Sequence, residues 1–224
     1  MTKFSKKVRQ FYNLYWEEYA EIHRKSLTEN KVIKPAVLRI LGDVEQKQIL
    51  DIGCGTGTYI VEYAKQGANV MAIDISEKLL EVARKSCKGL SIRFREGDIL
   101  EMKLPKERFD IVTAILVTGH INNLNKFFSR ILRLLKPNGL LVVTYSHPYG
   151  RGVYIKPDTK KRVRQKDIRR SMELLSDWGD GILAPVIKRS LSDCLNPLFK
   201  AGFCMTEVEE PGVLLVGARP VNKI

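Results

Sequence analysis

Hydrophobic and polar positions along most of the chain follow the periods of amphipathic helices and of buried strands. Residues 4–22 carry aromatic and aliphatic side chains at helical spacing, and residues 32–41 continue in the same way. From residue 46 onward, short apolar runs of strand length alternate with helical segments. The pattern predicts covering helices at the N-terminus, followed by a repeated strand and helix unit.

Segments with the length and pattern of strands are QKQILDIG, NVMAIDIS, LSIRFREGD, RFDIVTAILV and GLLVVTYS. The helical segment before the last run is predicted to stop at Pro137 and Gly139. Regularity is lost after Tyr145 and returns near residue 190 with a helix and two strands joined by Pro211 and Gly212. We interpret the irregular stretch as an insertion after the fifth strand, and the final strands as an antiparallel pair.

The predicted fold is a Rossmann-like, doubly wound α/β sheet that is mostly parallel and has an antiparallel closing strand. N-terminal helices and a cap insertion after the fifth strand complete it. We expect a single domain over residues 1–224. Its parts are an N-terminal helical cover (1–45), a strand and helix core (46–146), a cap (147–189) and a closing helix with a strand pair (190–224).

Composition narrows the class of protein. No apolar run is long enough to span a membrane, and the charged, aromatic N-terminus is unlike a signal peptide, so we expect a soluble, cytoplasmic protein. The four cysteines lie far apart without a CxxC pair. This spacing is typical of neither a disulfide framework nor a zinc site, and we expect buried thiols and no metal.

Positive charge is concentrated in one segment, which we call the basic segment (residues 151–170). The chain has a formal net charge of +13, and the basic segment holds nine lysines and arginines against two aspartates. Such a segment attracts a polyanion or an acidic small molecule, or forms a solvated surface.

The run ILDIGCGTGTYI places a glycine loop between the first strand and the following helix. Glycines let a ligand approach the unpaired N–H groups of a helix start, so an anionic or strongly polar group fits there. The spacing is Asp-x-Gly-x-Gly-x-Gly, from Asp51 through Gly53 and Gly55 to Gly57. A dinucleotide loop needs a third glycine where Thr58 stands, and a P-loop needs a Gly-Lys-Ser/Thr that does not follow.

This loop resembles the first motif of class I S-adenosylmethionine-dependent methyltransferases, and the resemblance covers roughly residues 10–146 and 190–219. It implies that the loop holds the methionine end of S-adenosylmethionine, with Asp51 orienting the amino group. Asp74, in AIDIS, is then assigned to the ribose hydroxyls, and Asp98, in EGDIL, to the adenine amino group. The other implied cofactor contacts are Ile75, Ile99, Ala114, Ile115 and Tyr15. Each carboxylate alone is also typical of a helix cap or turn, and the tyrosines of residues 4–22 are also typical of plain packing.

Catalytic residues are expected to be few. Alignment supplies most of the acceleration of methyl transfer from a sulfonium, and a base is needed only if the acceptor must lose a proton. His120 follows the fourth strand in VTGHIN and His147 follows the fifth in YSHPY, so both are candidate catalytic residues at the edge where ligands bind. A structural hydrogen bond is the alternative for each. His23 is expected at the surface.

The acceptor is expected to be a small molecule. The fourth strand is followed by neither an Asn/Asp-Pro-Pro-Tyr nor a Pro-Cys segment of the nucleic-acid enzymes, and the chain resembles the small-molecule, quinone-biosynthesis-like branch. The cap would then hold the acceptor, and the basic segment would favour an anionic one. The alternatives are an RNA-directed methyltransferase that uses the basic segment, a non-catalytic protein that keeps the cofactor site, and a nicotinamide-dependent dehydrogenase. The sequence indicates no oligomeric state.

Overall fold

The structure is a computed structural model that describes residues 1–147, 149, 152–210 and 213–221. The turn predicted at Pro211 and Gly212 lies outside the described residues. The described strands are β1 (Gln48–Ile52), β2 (Asn69–Asp74), β3 (Ile92–Glu96), β4 (Phe109–Ala114), β5 (Leu135–Tyr145), β6 (Val153–Ile155), β7 (Arg162–Arg164), β8 (Met172–Asp177), β9 (Leu183–Lys188), β10 (Phe203–Glu209) and β11 (Leu214–Pro220). The described α-helices are α1 (Lys3–Leu14), α2 (Trp16–Lys25), α3 (Lys34–Leu41), α4 (Ile60–Lys65), α5 (Glu77–Ser86), α6 (Leu124–Leu134) and α7 (Leu191–Lys200).

The central sheet has the strand order β10-β11-β5-β4-β1-β2-β3. The strands β1 to β5 pair parallel with one another. The strand β11 pairs antiparallel with both β5 and β10. This confirms the predicted Rossmann-like sheet with an antiparallel closing pair. Because the strand order reverses between β1 and β4, a crevice opens there at the carboxyl ends of the parallel strands.

Helices cover both faces of the sheet, which explains why its strands read as continuous apolar runs. Leu50 of β1 and Phe127 of α6 belong to the hydrophobic cluster on one face. Ile49 of β1 packs on the other face with Val37 of α3 and Tyr63 of α4. All five side chains are fully buried, so the crevice rests on a rigid two-sided core.

The first helix is shorter than the sequence predicts. Tyr15 adopts φ −108° and ψ 35°, so residues 4–22 form α1 and α2 with a break between them. The second predicted helix is α3, and a short π-helical turn at Glu29–Ile33 precedes it. The helical spacing alone does not reveal the break, because apolar residues continue on the same face across it.

The strand β5 begins earlier than the sequence predicts. The helix expected to stop at Pro137 and Gly139 ends at Leu134, because the backbone of Leu135 is already extended. The register between β4 and β5 shifts in this stretch, and such an irregularity accommodates a proline that donates no ladder hydrogen bond. A Cβ at Gly139 would lie 2.8 Å from Leu135 Cδ2, so glycine permits the close packing at this point.

The insertion predicted to be irregular contains an antiparallel sheet with the order β7-β6-β8-β9, which we call the cap sheet. The strands β6 and β7 have three residues each, too few to produce a clear alternation in the sequence. In β7, Arg162 and Arg164 flank Val163, so the strand is hidden within the basic segment. At the other edge, β9 packs against α1 and against the turn Thr118–His120 after β4.

The cysteines only partly follow the expectation from composition. Cys54, Cys87 and Cys194 are buried, whereas Cys204 is exposed. Cys204 lies on β10, the edge strand of the central sheet, where one side of the strand faces outward. Among the helices of the described residues, none is both long and apolar enough to cross a bilayer.

Candidate functional site

A cavity of about 230 Å³ opens where the carboxyl ends of the central strands meet α1, α2 and the cap sheet. Gly53, Asp74 and Asp98 reach it from the ends of β1, β2 and β3. His120 reaches it from the turn after β4, and Lys188 from the end of β9. One cavity therefore adjoins the glycine loop, the strand-end carboxylates and the cap.

The three glycines of the glycine loop have different surroundings. Gly53 and Gly55 have φ of +75° and +54°, a region that residues with a Cβ rarely adopt. A Cβ would lie 2.5 Å from Val117 Cγ2 at Gly53, and 2.9 Å from the Tyr19 hydroxyl at Gly55. Gly57 serves a different purpose, because it faces α5, where a Cβ would meet Cys87 Sγ at 3.3 Å. Gly53 thus lines the cavity, Gly55 packs beneath Tyr19, which lines the cavity, and Gly57 allows close helix packing.

Asp74 ties the end of β2 to the glycine loop. Its Oδ2 accepts a hydrogen bond from the Gly55 amide at 2.9 Å, and its Oδ1 accepts one from the Ser76 amide at 2.9 Å. Burial raises the pKa of this carboxyl, and the two amide donors oppose that rise. Each oxygen keeps a further lone pair, so the side chain can still accept hydrogen bonds from ligand hydroxyls.

Asp98 lines the cavity and keeps one unused acceptor. Its Oδ1 accepts a hydrogen bond from the Leu100 amide at 2.9 Å. Its Oδ2 is buried and has no hydrogen-bond partner within the described part of the chain. A buried carboxylate oxygen without a donor is costly, so this atom fits a donor supplied by a ligand. Ile75 and Ile99 line the cavity close to these carboxylates.

Three predicted contacts lie behind the cavity wall or beside it. Asp51 is 3% exposed, accepts a hydrogen bond from the Thr113 hydroxyl, and has its pKa raised to about 7 by burial. Ala114 is fully buried, and the adjacent Ile115 lines the cavity instead. Tyr15 packs on a neighbouring ring of α1 and is not part of the cavity lining.

Other aromatic residues of the N-terminal helices take the place expected for Tyr15. Tyr12 and Tyr19 both line the cavity, with ring centroids 5.1 Å apart. His23 also lines it and stacks on Tyr19 at 4.0 Å, so the expectation that it lies at the surface is wrong. The spacing of four residues between Tyr19 and His23 places them on one helix face, which is the sequence signal for this pair.

His120 connects three parts of the molecule. Its Nδ1 lies 3.1 Å from the Pro185 carbonyl of β9, which can only accept, so Nδ1 carries the proton. The Tyr12 hydroxyl, 2.9 Å away, then donates to Nε2. Burial, assisted by the charge of Lys188, lowers the pKa of His120 to about 4. The imidazole is therefore neutral at physiological pH, with its lone pair on the nitrogen that faces Tyr12.

His147, the other candidate catalytic residue, lies away from the cavity. Its Nε2 is 2.6 Å from Glu210 Oε1, and Glu210 is exposed. The prediction that its position after β5 points it into the crevice does not hold, because Ser146, the preceding residue, lines the cavity instead.

Lys188 is a cavity residue that the sequence did not suggest. It is 6% exposed, and its Nζ lies 2.6 Å from Ser146 Oγ and 4.3 Å from the centre of the Tyr154 ring. Burial lowers its pKa to about 8. The only signal in the sequence is a basic residue at the end of the apolar run LAPVIK, which is also common in surface strands.

The exposed lysines and arginines of the basic segment do not line the cavity. In the cap sheet, β7 and β9 form opposite edges, and β9 is the edge that reaches the cavity. Lys160, Lys161, Arg162 and Arg164 are exposed, and no described residue of the segment lines the cavity. The charge inside the cavity therefore has a different source from the charge that dominates the sequence.

Comparisons with known proteins agree with this geometry. The methyltransferase domain family matches residues 50–143. An uncharacterized protein of Haemophilus influenzae is 30% identical over 212 residues, which cover 88% of this chain and 83% of that protein. The demethylmenaquinone methyltransferase of Tropheryma whipplei is 30% identical over 151 residues, which cover 65% of this chain and 62% of that enzyme. The solved magnesium protoporphyrin IX methyltransferase of Synechocystis, with bound S-adenosylmethionine, has the same fold, with a TM-score of 0.72 at 14% identity and 99% coverage of each chain.

The residues at the ends of β1, β2 and β3 fit S-adenosylmethionine. Gly53 of the glycine loop lines the cavity, Asp74 accepts a hydrogen bond from that loop, and Asp98 holds an acceptor without a donor. The methyltransferase domain match spans all of these residues. The predicted cofactor is thereby confirmed, and residues 50–143 form a domain of the methyltransferase family. With a demethylmenaquinone methyltransferase among its relatives, the chain is similar to the small-molecule branch of the class I S-adenosylmethionine-dependent methyltransferases.

Proposed function

We propose that this protein transfers the methyl group of S-adenosylmethionine to a small acidic acceptor bound beneath the cap sheet. The observation that carries the proposal is that one cavity of about 230 Å³ adjoins both the strand-end carboxylates and the cap. When bound, the cofactor supplies a methyl group already activated on a sulfonium. The chain has to align the acceptor with that methyl group and exclude water.

The order of strands separates the cofactor side of the cavity from the acceptor side. Asp98, Asp74 and Gly53 follow β3, β2 and β1, which are consecutive in the sheet. His120 follows β4 and Ser146 follows β5, the next strands in the same direction. The acceptor is therefore assigned to the space over β4 and β5, beneath β9.

The walls of that space suit a compact, largely apolar acceptor. Trp178, Val186 and Ile121 line it, and aromatic walls favour planar rings. The name of the Tropheryma whipplei relative specifies demethylmenaquinone, which supports a quinone-like ring as one acceptor. Lys188 supports the acidic character, which the basic segment no longer does because it lies at the far edge of the cap sheet.

His120 is assigned the role of proton acceptor at Nε2. A base with a pKa near 4 is too weak to ionise a neutral alcohol beforehand. A hydroxyl or amine becomes strongly acidic as it acquires the methyl group, and a weak base suffices to take its proton. Tyr12, which donates to Nε2, is placed to orient the imidazole until the acceptor arrives.

Thermal unfolding with S-adenosylmethionine, S-adenosylhomocysteine and NAD tests the cofactor step. A ligand at one hundred times its Kd stabilises by about 2.7 kcal/mol, so the first two should raise the Tm and NAD should not. The catalytic step is tested with radiolabelled S-adenosylmethionine and demethylmenaquinol or 3,4-dihydroxybenzoate. Binding of the cofactor without labelled product from either acceptor would favour the non-catalytic alternative.

An RNA-directed enzyme is the second candidate, and the exposed arginines of β7 favour it. Their charge would strengthen RNA binding in a strongly salt-dependent manner. A filter-binding titration against salt, followed by a search for label in the RNA, distinguishes this candidate. Absence of RNA binding at low salt would remove it.

A further inference from the structure

Lys188 is a buried cation for which the described residues offer no carboxylate. It is 6% exposed and appears in no ion pair of the described part of the chain. Its hydrogen bond to Ser146 Oγ uses one of the three ammonium donors. A buried ammonium without a counter-charge is costly, and proteins that keep one usually pair it with a charged group.

The neighbours of Lys188 add no negative charge. Arg189 is buried too, but its guanidinium donates to the carbonyls of Thr118 and Ile121 behind the cavity wall. His120 is neutral, since its pKa is lowered to about 4. The ring of Tyr154 offers its face at 4.3 Å, which favours a cation but does not neutralise it. The cavity therefore has a positively charged wall at this point.

This wall lies on the acceptor side. Ser146 follows β5, whereas Gly53, Asp74 and Asp98 follow β1, β2 and β3. The strand β4 separates the two groups in the sheet. The carboxylate of the cofactor, held at the glycine loop, is thus an unsuitable partner for Lys188.

We infer that Lys188 and Ser146 together bind an oxyanion of the acceptor, a carboxylate or a phenolate, and thereby select acidic ring compounds. The inference rests on the proposed function, because it assigns the acceptor to the same cavity. The ammonium supplies charge, and the Ser146 hydroxyl supplies a second hydrogen-bond donor once Lys188 has turned to the oxyanion. Trp178 and Val186, which line the cavity, are placed to contact the ring. The oxyanion is a binding handle, and the methylated atom lies nearer His120.

A matched pair of probes tests the inference without knowledge of the acceptor. Benzoate and benzamide have nearly the same shape and differ in charge. Each is titrated calorimetrically into protein saturated with S-adenosylhomocysteine, for the wild type and for Lys188→Met. We expect the wild type to bind benzoate more tightly than benzamide. Lys188→Met should bind benzoate about tenfold more weakly than the wild type does, because a hydrogen bond to a charged group is lost. Its affinity for benzamide should be unchanged.

Two further variants make the test specific. Lys161→Met removes an exposed lysine of the basic segment and should leave both titrations unchanged. Ser146→Ala keeps the charge and should weaken benzoate binding by less than Lys188→Met does. This second variant also tests the pair if Lys188→Met fails to fold, which its binding of S-adenosylhomocysteine reveals. In a parallel titration, the phenolate absorbance of 4-nitrophenol reports whether the wild type also favours a phenolate.

The outcomes separate this inference from the function on which it rests. If S-adenosylhomocysteine does not bind the wild type, the proposed function fails. If it binds, but benzoate and benzamide behave alike or neither binds, the oxyanion site is overturned while the methyltransferase remains. The same holds if Lys161→Met weakens benzoate binding as strongly as Lys188→Met does.

Discussion

The Tyr12 hydroxyl lies 2.9 Å from Nε2 of His120 and connects the first helix with the turn after β4. The two rings meet edge to face, with centroids 5.2 Å apart. Since the other imidazole nitrogen donates to the Pro185 carbonyl, one histidine joins the N-terminal helices, the central sheet and the cap sheet. A change at Tyr12 should therefore alter both the stability of the protein and the hydrogen bonding of His120.

Tyr12→Phe removes the hydroxyl and keeps the ring. The change leaves a buried nitrogen of His120 without a donor, so we expect the free energy of unfolding to fall by roughly 1 to 3 kcal/mol. Urea unfolding measures it. Tyr15→Phe is the matched control on the same face, and because Tyr15 is half-buried we expect a change within about 0.5 kcal/mol. Equal losses in the two variants would contradict a specific role for the Tyr12 hydroxyl.

The stability of the protein should depend on the protonation of His120. Its pKa is lowered from 6.5 to about 4 in the folded state, so the unfolded chain binds more protons between these values. The stabilising contribution is complete above pH 6.5 and is lost as the pH falls towards 4. The loss amounts to about 3 kcal/mol, since each pKa unit corresponds to about 1.36 kcal/mol.

His120→Gln isolates this effect. As the pH falls from 6.5 to 4, the wild type should lose stability relative to the variant, by about 3 kcal/mol in the free energy of unfolding. The comparison is necessary because Asp51, whose pKa is raised to about 7, changes stability in the opposite sense over the whole of this range. Parallel pH profiles of the variant and the wild type would show that His120 is not the buried, neutral group described above.

The sequence predicted the central sheet well because its signals are local. Continuous apolar runs mark strands covered on both faces, and alternation with helical segments fixes a parallel order. The cap sheet was missed because β6 and β7 are three residues long and carry basic side chains. The break at Tyr15 was missed because the apolar face continues across it.

The site was predictable where a residue lies next to a strand end. Asp74, Asp98 and His120 follow β2, β3 and β4, so chain position alone places them at the crevice. Lys188 was not predicted as a site residue, because its position depends on how the cap sheet folds over the core. For the same reason, the positive charge that meets the acceptor was wrongly assigned to the basic segment. The arginines of that segment on β7 occupy the outer edge of the cap sheet.

Gly55→Ala tests whether the close packing of the glycine loop against Tyr19 matters for the cofactor. Gly55 has φ +54°, and a Cβ there would lie 2.9 Å from the Tyr19 hydroxyl. Gly89→Ala is the matched control, because Gly89 has φ +85° and nothing within 4 Å of the added Cβ. Both variants should lose roughly 1 to 2 kcal/mol of stability from backbone strain. Only Gly55→Ala should also lose the stabilisation by S-adenosylhomocysteine, measured as a shift in Tm.

A full shift in Tm with S-adenosylhomocysteine in Gly55→Ala would contradict the role given to the loop. A loss of the shift in both glycine variants would point to general destabilisation. The two glycines belong to different parts of the chain, because Gly89 lies after α5 and Gly55 after β1.

Asp98→Asn examines the unused acceptor in the cavity. Asparagine retains an oxygen for the Leu100 amide, so the unliganded protein should keep its stability to within about 1 kcal/mol. Its amide nitrogen would replace the buried Oδ2, turning an acceptor into a donor. If Oδ2 receives the adenine amino group, two donors then face each other, and calorimetry should show S-adenosylhomocysteine binding at least tenfold more weakly.

The matched control for this last change is Asp110→Asn. Asp110 also accepts a hydrogen bond from a backbone amide, that of Gln48 at 2.9 Å, but it lies near the start of β4, at the opposite end of the sheet from the cavity. Its replacement should leave the affinity for S-adenosylhomocysteine unchanged. Unaltered affinity in Asp98→Asn would mean that Oδ2 does not meet the adenine, and the nucleoside would then have to be held by Asp74 and the flanking isoleucines alone.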